Sequence, residues 1–209
     1  MIAPILEFLR PEILALPWVE QYGGMVRTVS RPQMLNIDDV PQIIMQSFPV
    51  SCDVSANDCW NNQRYKDLVP NDAYRSVSYF EERGGMRLDG VSAVNGLLEF
   101  SANVRFVAWL NMMKLGYDTC HFADYVAATL LPLLRKKNVA VTAPFKCLVS
   151  VEPINFEARG ADIFEGYAYQ DEQALLFYPY DYFAINCMVK IQLDLKCLPE
   201  YLVKTPIIC

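Results

Sequence analysis

Cys120 and His121 are the one adjacent thiol and imidazole in the chain, the pair from which a nucleophile and its base would be built. On a helix, neighbouring side chains point about 100° apart and do not face each other. His121 is also the only histidine, so multi-histidine metal sites and any mechanism needing two imidazoles are excluded. Three adjacent carboxylate pairs remain: Asp38-Asp39, Glu81-Glu82 and Asp171-Glu172. All three fall in segments read as turns or loops, where such acids are solvated. There is no Asp-x-Asp-x-Asp calcium loop, no phosphate-cradling glycine motif and no G-x-S-x-G elbow. The reading is therefore no enzyme, no cofactor and no metal. The alternative kept is a small cytosolic enzyme using loop carboxylates or Cys120.

The 209 residues carry 18 Lys+Arg against 24 Asp+Glu, a net charge of −6, with 53% hydrophobic residues. That length fits one domain with a sizeable core. An acidic chain is the opposite of a general nucleic-acid binder. The basic residues are scattered except for Arg135-Lys136-Lys137, which a helix C-terminus accounts for. Seven cysteines, an odd number with no Cys-x-x-Cys, read as reduced structural thiols; Cys52 and Cys59 are the one pair worth testing as a disulfide.

Residues 1–24 form an apolar N-terminal helical segment, and 25–209 a single domain. The first ten residues lack the basic leader of a signal peptide. Acids, an arginine and three prolines interrupt the segment well short of the ~20 residues of a membrane span. Two readings stay open: short helices capping the core, or an arm docking on a neighbouring subunit. Gly23-Gly24 ends the segment and Met25–Ser30 is a first strand. Leu35–Val54 is extended, with Pro41 and Pro49 restricting it to an edge or bulge. Ser55–Asp72 reads as a polar loop containing Trp60. Tyr74–Phe80 and Met86–Leu88 around Gly84-Gly85 read as a hairpin.

Leu98–Leu110 is the clearest strand, with even-numbered residues on an apolar face. Trp109 joins the opposite face, at an end read as projecting or meeting a partner. A helix from about Cys120 to Lys137, N-capped by Asp118 or Thr119, carries an apolar stripe of Phe122, Tyr125, Val126, Thr129, Leu130, Leu133 and Leu134. Phe145–Ile154 and Phe183–Leu195 are further strands, separated by the aromatic-rich Asn155–Tyr182. The fold class is α+β: a mostly antiparallel sheet with one long amphipathic helix packed on it and an N-terminal helical arm.

This order, Leu98–Leu110 feeding Phe122–Leu134, then Phe145–Ile154 and the closing Pro179-Tyr-Asp-Tyr-Phe-Ala-Ile-Asn186 strand, resembles the small neck proteins of tailed bacteriophages, the tail terminator or tail completion group. The resemblance implies a virion protein, assembled in the host cytoplasm as a hexameric homo-oligomeric ring, with another phage tail, neck or baseplate structural protein as the alternative beside the small enzyme. Such a ring joins the tail tube to the head connector and lets DNA pass, without sequence-specific nucleic-acid binding and without a membrane. The residues that could supply its subunit contacts are Ile5, Leu6, Phe8, Leu9 and Trp18 of the arm, Trp60, Trp109, and Phe164, Tyr167, Tyr169 and Tyr180. Net negative charge suits a conduit that must not hold phosphates.

Overall fold

The computed structural model describes residues 2–37, 40–52, 58–60, 63–91, 96–117, 122–142, 146–160, 162–169 and 173–194. Short helical turns open the chain: α1 (Ile2–Leu6), a 3₁₀ turn (Glu7–Leu9) and α2 (Arg10–Leu14). Pro11 is tolerated because it sits in the first turn of α2, where its missing N–H has no helical partner to lose. Ten strands follow: β1 (Gln21–Met25), β2 (Arg27–Ile37), β3 (Val40–Cys52), β4 (Asp58–Trp60), β5 (Gln63–Asp67), β6 (Ser76–Val91), β7 (Leu98–Asn111), β8 (Lys136–Val141), β9 (Cys147–Ala158) and β10 (Tyr180–Leu193). Between them lie α3 (Met112–Leu115), α4 (Phe122–Leu134) and α5 (Gln173–Leu176).

The strands form a six-stranded sheet in the order β1-β6-β7-β10-β9-β8 and a four-stranded sheet β2-β3-β5-β4. β1 runs parallel to β6 and the remaining pairs are antiparallel, so the larger sheet is mixed. This corrects the expected fold class. Strand makes up 57% and helix 20% of the described residues, and the large sheet is curled, without a long amphipathic helix among those residues laid along it. The longest helix, α4, has 13 residues and stops at Leu134. Of Arg135-Lys136-Lys137 only Arg135 closes the helix, its N–H bonded to the Leu131 carbonyl at 3.1 Å; Lys136 and Lys137 begin β8. The reason is tertiary pairing: β8 gains backbone hydrogen bonds to β9 over Lys136–Val141, which outweigh the helix-forming tendency of basic residues. The expected N-cap residues of α4 lie outside the described residues. Its N-terminus is held from a distance by Asp181 of β10, whose buried carboxylate accepts the Ala123 N–H at 2.9 Å and puts negative charge at the positive helix end.

β7 separates two cores. Its even-numbered residues Ala102, Val104, Phe106, Ala108 and Leu110 join α4, β9, β10 and the N-terminal turns in one cluster. Val107 and Trp109 join Val77, Tyr79, Phe164, Tyr167 and Tyr169 in a second. A strand whose alternate residues are apolar on one face along its length and on both faces over one half is covered on both sides there.

Gly84-Gly85 does not turn the chain. β6 continues through it as one 16-residue strand, and both glycines sit at positive φ in a bulge between Arg83↔Asn103 and Met86↔Ala102. Glycine is suited to this because φ > 0 costs it no Cβ clash. The polar stretch after Val54 is likewise not all loop, since it contributes β4 and β5. Cys52 and Cys59 lie on β3 and β4, with β5 between them.

Candidate functional site

The sequence-expected contact residues divide sharply by burial. Leu6, Leu9, Trp18, Trp109, Phe164, Tyr167 and Tyr169 are buried within the protomer. Trp109, 1% exposed, does not project: its indole Nε1 donates to the Leu175 carbonyl at 2.7 Å and its ring stacks on Tyr180 at 4.8 Å. Phe8 is half-buried against the main core. The side chains of Ile5 and Trp60 lie outside the described residues. The seven buried side chains are spent on folding and are unavailable to a partner. Tyr180, half-buried, donates its hydroxyl to Asp72 at 3.0 Å.

Among the carboxylate pairs, Asp38-Asp39 and Asp171-Glu172 lie outside the described residues, as do Cys120 and His121. Glu81 is in a strand rather than a turn, and it is buried. Its Oε1 accepts from Arg105 Nε at 2.5 Å and pairs with Arg83 at 2.8 Å; its Oε2 accepts the Tyr167 hydroxyl at 2.8 Å. Burial pushes the Glu81 carboxyl up from its ordinary range, with Arg83 and the Tyr167 hydrogen bond opposing. Arg105 spends its remaining donors on the carbonyls of Asp162 and Ile163, at 3.1 and 2.7 Å. A cavity of about 320 Å³ beside this network is lined by Glu81, Glu82, Glu165, Arg83, Thr28 and Tyr167. Glu81's lone pairs are committed to three donors, so the network is a clamp pinning residues 162–167 to the sheet. It does not present a poised acid or base. Among the described residues no three His, Cys, Asp or Glu side chains converge on a point that could hold a metal ion.

The β2–β3 hairpin carries an exposed apolar face. β5 pairs with β3 only at Val50–Cys52, so the seven pairs from Arg31↔Gln46 to Ile37↔Val40 form a two-stranded ribbon. At its root, Arg31 makes a two-pronged pair with Asp67 at 2.8 Å, and the Ser47 carbonyl accepts the Ala168 N–H. Beyond those anchors, no hydrogen bond or ion pair among the described residues ties the ribbon to the body. Cross-strand register places Met34 opposite Ile43 and Pro32 opposite Met45, all on one face. Met34, Ile43 and Met45 are 70, 70 and 65% exposed. An apolar face on a two-stranded ribbon is unusual, because such ribbons are marginal alone and contiguous exposed apolar groups mark contact sites. The sequence contained the signal, the uninterrupted apolar run Ile43-Ile44-Met45, but not that no strand among the described residues lies beside it.

No helix among the described residues is long and apolar enough to cross a membrane. No protein-family model matches the chain, and a comparison with curated proteins finds no match.

Proposed function

We propose that this is a virion structural protein of a tailed bacteriophage, forming a homo-oligomeric ring at the head–tail junction that joins tail tube to connector and lets DNA pass. The observation carrying the contact-based reading is the hairpin: Met34, Ile43 and Met45 share one exposed face of a ribbon that extends about 20 Å past its last anchors. Burying that face on a neighbouring subunit would stabilise both the ribbon and the assembly. The likeness to neck proteins rests on the sequence order of Leu98–Leu110, Phe122–Leu134, Phe145–Ile154 and the closing strand, into which α3, β8 and α5 are inserted. The commitment of Glu81 to Arg105, Arg83 and Tyr167 removes the best-placed carboxylate from the enzymatic alternative.

Native mass measurement of the purified protein, together with the protein content of purified particles, tests the proposal. A closed oligomer that is also a component of particles is expected. A stable monomer absent from particles would overturn it.

A further inference from the structure

Arg135 directly follows the end of α4, but Lys136 and Lys137 lie in β8, and their neighbours make the run more than a solvated stretch. Lys136 is held by the Glu12 carboxylate, at 2.6 and 2.9 Å. Lys137 and Asn138 are the extra residues of a bulge between Lys136↔Val151 and Val139↔Val149. Asn138 adopts the left-handed conformation, φ 50°. The bulge is fastened by Ser150 of β9, whose Oγ accepts the Asn138 N–H at 2.9 Å and donates to Asn138 Oδ1 at 3.2 Å. Bulges of this kind re-aim side chains. On the other side of Ser150, in direct register, stands Lys190 of β10.

These residues border a cavity of about 190 Å³, lined by Arg135, Lys136, Lys137 and Lys190 with Glu152 as the one acid. With Lys136 neutralised by Glu12, three cations face one carboxylate in a protein of net charge −6. Arg135 and Lys137 make no ion pair among the described residues, and Lys190 has the exposed Asp89 in electrostatic reach. The volume corresponds to roughly six water molecules, room for a small polyvalent oxyanion. A forked guanidinium beside two ammonium groups from separate strands matches a phosphate group, with several oxygens to share among them.

We propose that this cleft binds a phosphate group, either of a free phosphate compound or of a nucleic-acid backbone. The inference is independent of the ring assembly proposed above. Calorimetric titration of the whole protein with inorganic pyrophosphate, and separately with a single-stranded oligothymidylate, tests it against a K137A/K190A variant. A charge-conserving K137R/K190R variant and a distant K114A control accompany it.

Binding that weakens roughly tenfold per cation removed, persists in K137R/K190R and is unaffected by K114A supports the cleft. If pyrophosphate binds and the oligonucleotide does not, the ligand is a free phosphate compound. If the oligonucleotide binds alone, and the slope of log K against log salt falls by about 1.4 in K137A/K190A, as loss of two contacts to a single strand requires, the ligand is the backbone. The proposal is overturned if neither probe binds at millimolar concentration, if K137A/K190A binds as the wild type does, or if K114A loses as much affinity. Thermal melting confirms that each variant is folded; should K137A/K190A fail to fold, perturbation of the wild-type Asn138 amide resonance by either probe decides instead, and its absence overturns the cleft.

Discussion

Arg105 illustrates how a single strand residue acquires a job from its surroundings. Its side chain and that of Glu81 are 6% and 10% exposed, so each charge is tolerable only because it is paired. Removing Arg105 leaves Glu81 with Arg83 and Tyr167 alone, and Arg105→Ala is expected to cost about 3 kcal/mol in urea unfolding. The same variant frees the carbonyls of Asp162 and Ile163, so faster hydrogen exchange in residues 162–167 should accompany it. The buried thiols carry a pH dependence. Burial pushes Cys147 up to about 11 and Cys187 up to about 12 from an ordinary 9.0. Folding thus favours the protonated thiols. Their contribution is complete below about pH 9, where unfolded thiols titrate, and it is lost as pH rises through the folded values. The thermal midpoint should fall between pH 9 and 12, with Cys187 contributing about 1.4 kcal/mol per pH unit. Cys187→Ala should flatten that fall, and neither thiol should react with alkylating reagent at pH 8 while the protein is folded.

At the scale of elements, the β2–β3 hairpin is where folding and assembly part company. Its exposed face contributes little to the protomer, so Ile43→Asp combined with Met45→Asp should leave the melting temperature of an isolated subunit nearly unchanged. The same pair should drive the oligomer to monomer in native mass spectra. A loss of folded protein instead would mean that the face is needed within the protomer. β1 shows the opposite economy. A Cβ on Gly23 would lie 2.0 Å from Cδ1 of the buried Leu68, so Gly23→Ala should destabilise by about 1–3 kcal/mol, measurable by thermal unfolding. β7 and β10 are fully legible from period-2 alternation, since both hold one apolar face along their length. β6 is not, because a double glycine signals a turn and a bulge alike. Only the continued pairing of Met86–Val91 with β7 separates the two.

For the whole molecule, the N-terminal residues are part of the core rather than an appendage. Ile2, Leu6, Leu9, Ile13 and Trp18 lie in the same cluster as α4 and β10. Trp18 meets Phe183 edge-on at 6.3 Å, and Glu12 reaches Lys136 across the chain. Leu9→Ala should therefore cost about 2–5 kcal/mol, as for any fully buried leucine. An unchanged unfolding midpoint would show that the segment detaches freely. The aromatic surplus of residues 164–182 has a similar explanation. Phe164, Tyr167 and Tyr169 roof the second face of the sheet, and the Tyr79 and Tyr169 hydroxyls meet at 3.2 Å within it.

The sequence by itself determined β7, β10 and the surplus of apolar residues, because periodicity and composition are local properties; of the stripe on α4 it had only part, since Tyr125 is 62% exposed and Ala123 and Ala127 lie in the core. It placed the inward residues of β10 correctly, from Phe183 to Leu193. What covers each face was decided by tertiary structure. Whether Trp18 or Trp109 is core or contact depends on which distant segment lies over it, and whether Lys137 ends a helix or lines a cleft depends on β9 offering an unpaired edge. Those are long-range pairings between segments far apart in the chain, 124 residues in the case of Glu12 and Lys136. No local pattern encodes them, because the free energy that selects them arises only when both partners are buried together.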